Sequence, residues 1–529
     1  MINKIYRFFR NFIKQLGIKF QLNSLFSNYN IENKRDKHAV IFSAIGNMYI
    51  TYYEIMFYHI LRFMGYNVKY YIYNYDNPIN ELTTQSIVES GKAKFFIKKN
   101  VSRSIKVLKS ANVKFEFIDY YPNIFDLINF KKPDTLNEIF EFKYENINFG
   151  HITKRTLYRY YKSKNFKEND YNTALKYLIV ALSNYHFIHK INFKNNKIDL
   201  LFMSHGIYTS WEPIKMLCEK YSINYVCYDR AKTTNHIILN KNQEAPNWDF
   251  SSSWRKYINK KLNKNEDQLV SKYFLERENQ KGDVFSYNFS GREEGSSLKR
   301  RFNIPEDKLI ITIFSNVIWD AANVSRDITF EDTLDCIIKT IEKFKKNNKV
   351  HIVVRTHPAE KVLGTNEGYY DLINKHLDNK KEFNNYTIIK PNDNVNSYSI
   401  IDISDIGIVN TSTVGLEFAM SGKPILLISE THYRNKGFTY DISSQKQYFD
   451  ILDSLINEIN LKPNQVEISR KYFYMMMFLY QKNTPLKYEN NIFCGYNFNN
   501  FLDLINDDFV KEFIYMIDNI DSIDDFVNW

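Results

Sequence analysis

Along this chain, short apolar runs alternate with longer stretches of mixed apolar and polar residues. His38–Ala44 (HAVIFSA) is a β-rich run, the segment from Tyr49 to Met64 has helix length and stops at Gly65, and Val68–Tyr73 (VKYYIY) is strand-like again. This order predicts a βαβ unit. Residues 100–200 are aromatic and basic, with helical character concentrated around Asn172–Asn184. Ile198–Met203 (IDLLFM) then reads as a buried strand running into Ser204-His205-Gly206, followed by a helix from Glu212 to Tyr221 and a strand at Asn224–Tyr228. The second half is more regular. Strands are predicted at Leu309–Phe314, Val350–Arg355, Tyr386–Lys390, Asp405–Val409 and Pro424–Ile428, with helical segments between them, including Phe330–Lys346. Strands alternating with helices at this spacing predict parallel, doubly wound sheets.

The predicted fold is α/β: two Rossmann-like doubly wound domains facing across a cleft, with helical N- and C-terminal extensions. The pattern divides the chain into a basic amphipathic helix and linker (1–34), an N-terminal domain (35–270), a connection (271–304), a C-terminal domain (305–475) and a helical tail packing back on the body (476–529). Near the N-terminus, Ile5, Phe8, Phe9, Phe12, Ile13 and Leu16 share one helical face, with Lys4, Arg7, Arg10 and Lys14 on the other. Such a helix suits either an anionic membrane surface or the protein's own body. The charges spread through this stretch, with no small-residue cleavage site, exclude a signal peptide. No run of 18 apolar residues predicts a membrane-spanning helix.

Composition narrows the picture further. The 71 Lys and Arg residues against 60 Asp and Glu leave +11, a modest excess over 529 residues and no mark of a dedicated nucleic-acid binder. Four cysteines, Cys218, Cys227, Cys336 and Cys494, lie far apart without a CxxC pair. That excludes a disulfide scaffold or zinc finger and suits a reducing cytoplasm. With 41 Phe and 40 Tyr against 16 Gly, the usage has the look of AT-rich codon bias, so isolated Tyr, Asn and Lys residues carry little weight.

Ligands of open α/β sheets bind at the carboxyl ends of the strands, and four motifs are predicted there. Asn410-Thr411-Ser412-Thr413-Val414-Gly415-Leu416-Glu417 leaves a buried strand and opens a helix. Hydroxyl groups and N–H groups at such a turn favour an anion, whereas simple capping needs only one hydroxyl. Glu417, one place too late for a capping box on Thr413, is suited to accept hydrogen bonds from ribose hydroxyls. Arg355-Thr356-His357-Pro358 ends the strand VHIVV, with Pro358 holding His357 extended so that Arg355 and His357 can neutralise phosphate. Ser315, Asn316 and Asp320 lie in the loop after the first strand of this half, facing the same edge. In the first half His205 holds the corresponding strand end and is the first candidate for a general base, with Asp320 the second. There is no P-loop, GxGxxG, HExxH, GxSxG or strand-end DxD motif, so no metal ligands are assigned and no resident cofactor is expected.

At SNVIWDAA (Ser315–Ala322), VVRTHPAE (Val353–Glu360), IVNTSTVGLEFAMSGKPIL (Ile408–Leu426) and HYRNKGFTYD (His432–Asp441) the sequence resembles the bacterial capsule polysaccharide biosynthesis protein family. These are GT-B glycosyltransferases related in motif style to capsular Kdo transferases and bacterial polysialyltransferases. SHGIYTSWEP (Ser204–Pro213) and, more faintly, NFGHITKRTLYRYY extend the resemblance to roughly residues 140–480. It implies that His357-Pro358 and Thr411-Ser412-Thr413 hold the phosphates of a nucleotide-activated sugar, a CMP-sugar in the better-known relatives. The implied reaction is metal-independent transfer to a glycan or lipid-linked acceptor in capsule-type polysaccharide synthesis. The polysialyltransferase acidic-acidic-Gly base motif has its letters only in Arg292-Glu293-Glu294-Gly295, inside the connection. A CDP-polyol phosphotransferase and a non-catalytic membrane-associated assembly factor stay open, with a nucleotide-sugar epimerase a weaker third. The implied location is the cytoplasm, with peripheral contact of the N-terminal helix to anionic inner-membrane lipids.

Overall fold

The computed structural model describes residues 16–27, 29, 36–45, 47–194, 197–279, 291–377, 384–489 and 492–527. Two compact units account for them. The first runs to Tyr160, resumes over Phe166–Trp248 and recovers Gln481–Phe526; the second comprises Tyr161–Asn165, Asp249–Tyr480 and Val527. The chain therefore passes from one unit to the other at Trp248, before the polar connection predicted for 271–304.

In the first unit the strands are β1 (His38–Ser43), β2 (Asn67–Tyr73), β3 (Phe115–Ile118), β4 (Leu200–Ser204), β5 (Asn224–Arg230) and β6 (His236–Lys241), ordered β6-β5-β4-β1-β2-β3. β1 to β5 pair parallel, and β6 turns back antiparallel on β5. Helices α1 (Met48–Phe63), α2 (Ala93–Ser110), α3 (Phe149–Tyr161), α4 (Tyr171–Lys194) and α5 (Tyr208–Lys220) belong to the same stretch of chain. β4 is buried along its whole length, as a strand covered on both faces must be. Glu54 of α1 is fully buried and accepts hydrogen bonds from Ser43, Tyr70 and Tyr228 at 2.8, 2.5 and 2.6 Å, joining β1, β2 and β5 to the helix.

The second unit is a six-stranded, all-parallel sheet: β7 (Leu309–Phe314), β8 (Val350–Arg355), β9 (Tyr386–Ile389), β10 (Ile406–Val409), β11 (Ile425–Leu427) and β12 (Tyr440–Asp441), ordered β12-β11-β10-β7-β8-β9. The order reverses between β7 and β10, the switch point at which such sheets bind ligands. Its helices include α6 (Lys264–Glu278), α7 (Thr333–Phe344), α8 (Ala359–Leu363), α9 (Val414–Met420) and α10 (Gln465–Tyr474). Two Rossmann-like α/β units are thus present, as the strand–helix alternation predicts.

The tail differs from the helical expectation. Lys482–Asn483 (β13) adds antiparallel to β6, and β14 (Leu486–Glu489) and β15 (Ile492–Tyr496) form a hairpin. The burial alternation of Leu486-Lys487-Tyr488-Glu489 has the period of a strand, and β6 offers an open edge. Helices follow at Phe501–Ile505 and α11 (Asp508–Asp518), with Phe513 stacked on Phe57 at 5.1 Å. The predicted basic face over residues 4–14 lies outside the described residues. Residues 16–26 are helical and bury Leu22, Leu25 and Phe26. Among the described residues no helix is long and apolar enough to cross a membrane.

Candidate active site

Residue types at the ends of β7, β8 and β10 decide what this edge of the second unit can do. β8 is buried throughout, so its last residue, Arg355, is drawn in to 2% exposure. Its Nη1 donates to the Lys390 carbonyl at 2.6 Å, while Nε and Nη2 are buried without a partner. Burial lowers the guanidinium pKa to about 10, with Asp393 pulling the other way, so Arg355 remains a cation at neutral pH. A buried cation with two unpaired donors is costly, and an oxyanion offsets that cost best.

The next residues fix an imidazole beside it. Thr356 spends its N–H and hydroxyl on the Ile389 carbonyl, at 3.1 and 2.8 Å. The His357 N–H donates to Ser315 Oγ at 3.1 Å, and the Ser315 N–H to the Arg355 carbonyl at 3.1 Å, clamping the ends of β7 and β8 together. Ala359 N–H donates to His357 Nδ1 at 3.1 Å. The Nδ1 lone pair is therefore in use, which assigns the ring proton to Nε2. Burial, and then the neighbouring Arg355, lower the His357 pKa to about 4. The sequence motif suggests charge neutralisation by His357; burial and Arg355 both disfavour the imidazolium, so at neutral pH the ring is instead a neutral Nε2–H donor.

The loops after β7 and β10 are joined by side chains. Asn316 Nδ2 donates to Thr411 Oγ1, which donates to Asn323 Oδ1 at 2.5 Å. Asn316 Oδ1 is buried without a partner. Asp320 caps the short 3₁₀ turn Ala321–Asn323, accepting the Ala322 N–H at 3.0 Å. Ser412 Oγ reaches the Val414 N–H only at 3.4 Å, whereas its carbonyl accepts the Tyr433 hydroxyl at 2.6 Å. Tyr433 is fully buried beneath this turn, and a Cβ on Gly415 would come 2.5 Å from its hydroxyl oxygen, so only glycine fits there. Thr413 makes no side-chain capping bond to α9, which is seven residues long. At that length the polar side chains, more than the helix dipole, define the site. Glu417, buried in α9, is ion-paired with Arg277 of α6.

In the first unit, His205 directly follows β4 in a left-handed backbone conformation (φ 57°). Its Nδ1 lies 2.8 Å from Ser204 Oγ and its Nε2 3.1 Å from Asp229 Oδ2 at the end of β5, with the ring stacked on Trp211 at 5.3 Å. Burial lowers its pKa while Asp229 raises it. Both nitrogens are engaged. Gly206 is also left-handed (φ +77°), and a Cβ there would meet Cys227 Sγ at 2.6 Å.

Sequence reasoning missed several of these participants. Asp229 lies just past a predicted strand, but pairing across β4 and β5 is not visible in one sequence. Glu360, three residues after His357, is 2% exposed, and neither oxygen meets a hydrogen-bond partner of full geometry. Burial raises its pKa to about 7, although the backbone N–H groups of Tyr369 and Ile318 favour the ion. A carboxylate in the predicted VVRTHPAE motif was the available signal. Arg155 of α3 is buried against Glu212 at 2.9 Å and Glu244 at 3.6 Å, and Lys215 meets Glu244 at 2.6 Å. Glu81 accepts from Thr209 Oγ1 at 3.1 Å, from the Ser210 N–H at 2.9 Å and from the Ser210 hydroxyl.

Residues 255–450 match the family described as capsule polysaccharide biosynthesis protein, so the resemblance of the strand-end motifs holds over that stretch. No curated protein matches the chain. Among solved structures, a beta Kdo 2,7 transferase, KpsC of Thermosulfurimonas dismutans, is similar at 16% identity, covering 64% of this chain and 90% of that one, with a TM-score of 0.33. The beta Kdo 2,4 transferase of the same organism's KpsC is similar at 12% identity over 56% and 88% of the two chains, TM-score 0.34. A UDP-GlcNAc 2-epimerase from Neisseria meningitidis, bound to UDP-GlcNAc, is similar at 12% identity over 83% and 99%, TM-score 0.25.

Proposed function

From the capsule-family match over residues 255–450, we propose that this chain is a glycosyltransferase of bacterial surface polysaccharide synthesis, moving a sugar from a nucleotide-activated donor to a glycan or lipid-linked acceptor. The observation that carries the reading is Arg355: a buried cation with Nε and Nη2 unpartnered, beside an imidazole whose Nε2 carries the proton. In this reading the donor is a CMP-sugar. Its phosphate meets Arg355 and His357, with Ser315, Asn316 and Thr411–Thr413 shaping the surrounding loops, while Glu417, steadied by Arg277, accepts from the ribose. As the glycosidic bond breaks, charge grows on the departing CMP phosphate. Fixed donors at that point stabilise the transition state without metal or resident cofactor. The acceptor hydroxyl gives its proton to a general base, with His205, held by Asp229, the first candidate and Asp320 the second. The reaction is placed in the cytoplasm, at the inner face of the membrane.

Thermal shift with a panel of nucleoside mono- and diphosphates, followed by product analysis with CMP-sugars and CDP-polyols, tests this reading. CMP should stabilise the protein and a CMP-sugar should yield a glycosylated product that survives EDTA. A product from CDP-polyols alone would make it a phosphotransferase. Absence of nucleotide binding would leave an assembly factor.

A further inference from the structure

Helix α2 lies outside everything assigned above. It buries a narrow stripe, Ile97, Val101, Ser104 and Leu108, and Ser104 Oγ lies 3.1 Å from Thr51 Oγ1 of α1. At 3.6 residues per turn, Lys98, Lys109, Phe95, Lys106, Lys99 and Arg103 fall within an arc of about 140° centred opposite that stripe. All six are exposed, Phe95 at 68%. Between Glu89 and Glu116 the sequence holds eight basic residues and no acidic one. None of the basic side chains on this face forms an ion pair among the described residues, although the chain as a whole carries nearly as many acids as bases. The following strand adds Phe117, 40% exposed, whose ring lies 6.2 Å from that of Tyr75. Ser102 of α2 reaches the Tyr75 hydroxyl at 3.5 Å, which sets Phe117 beside the helix.

From this face we propose that α2 is a docking surface for an anionic phospholipid bilayer. Unpaired lysines at this density attract a negatively charged surface. Phe95 decides between surfaces: a face meant for water or for a soluble polyanion gains nothing from a large exposed apolar ring in its first turn, midway round the basic arc, whereas at a bilayer that ring enters the boundary between headgroups and acyl chains. This inference stands on α2 alone and does not depend on the donor reading.

Sedimentation of the full chain with phosphatidylcholine vesicles, with and without about 30% phosphatidylglycerol, tests it. Binding should require the anionic lipid and weaken as salt rises from about 0.1 to 0.5 M. At roughly fivefold per charge, the exposed triple variant Lys99→Gln, Arg103→Gln, Lys106→Gln should bind about 100-fold more weakly. Phe95→Ser should lower binding about tenfold and leave its salt dependence unchanged. A control triple of exposed lysines in the second unit, Lys346→Gln, Lys349→Gln, Lys375→Gln, should bind as the parent does. Equal losses in both triples, or no loss in the α2 triple, would overturn the proposal. It would also fail if the wild type bound heparin through α2 but not the vesicles, because the face would then take a soluble polyanion.

Discussion

Two regions handle buried charge differently: the clusters around Arg155, Glu81 and Glu54 in the first unit, and the ends of β7 and β8 in the second. In the first, Arg155 meets Glu212 and Glu244, Lys215 meets Glu244, Glu81 meets the start of α5, and Glu54 meets three hydroxyls. In the second, at the ends of β7 and β8, Arg355 keeps two donors unpaired, Asn316 keeps an unpaired oxygen, and Glu360 lies buried without a counter-ion. Polar groups satisfied inside the fold contribute to holding it together. Those left unsatisfied cost stability and are kept where a ligand completes them. On this comparison the first unit's buried ions hold the fold together, and the second unit's edge is where we propose that the donor binds.

Breaking one member of the first unit's cluster is the most damaging change. Arg155→Met leaves Glu212 buried without its closest cation and Glu244 with Lys215 alone, which should cost about 3–5 kcal/mol in chemical unfolding. A loss below about 1 kcal/mol would show that water already screens this cluster and would remove half of the contrast. The exception within the first unit is the His205–Asp229 pair, which is only partly buried. His205→Ala should lower kcat by ~10²–10⁴ with nucleotide binding nearly intact. Normal turnover would return His205 to a structural role and leave the transferase reading standing.

On the second unit's edge, His357→Ala should weaken nucleotide binding ~10- to 100-fold in calorimetric titration, because a hydrogen bond to a charged group is lost. Ser412→Ala should do less, since its hydroxyl only reaches the Val414 N–H at 3.4 Å. The smallest effect is on pH dependence, where the two titrating groups oppose each other. His357, lowered to about 4 from 6.5, makes the folded state lose stability as pH falls from 6.5 towards 4. Glu360, raised to about 7 from 4.5, makes it lose stability as pH rises from 4.5 through 7. Urea midpoints of Glu360→Gln should exceed those of the parent at pH 8 and converge with them at acid pH, while His357→Gln should flatten the acid limb. Parallel profiles for both variants would mean that neither group titrates as its burial requires.

Much of this was legible in the sequence, and the reason differs by element. β7 and β8 were located to the residue because buried parallel strands are continuous apolar runs bounded by polar loops. β3 and β6 were not, since an edge strand such as FEFI and the return strand HIILNK lack flanking signals that separate them from helix or loop. The site motifs were visible because hydroxyl and His-Pro residues directly after apolar runs mark strand ends. The protonation of His357 was not visible, because it depends on an N–H two residues on and on Arg355 being drawn into the sheet. The pairing of Glu417 with Arg277, 140 residues away, is likewise a product of folding alone.

The central claim, that the unpaired cation ending β8 holds the donor phosphate, is tested most directly by titrating CMP into the parent protein and Arg355→Met while measuring the unfolding stability of both. The account predicts that the variant loses about 10- to 100-fold in affinity yet unfolds within about 1 kcal/mol of the parent, because methionine removes a buried charge that nothing in the fold pairs. Unchanged CMP affinity, or a loss of several kcal/mol in stability with binding intact, would contradict it and make Arg355 a structural residue.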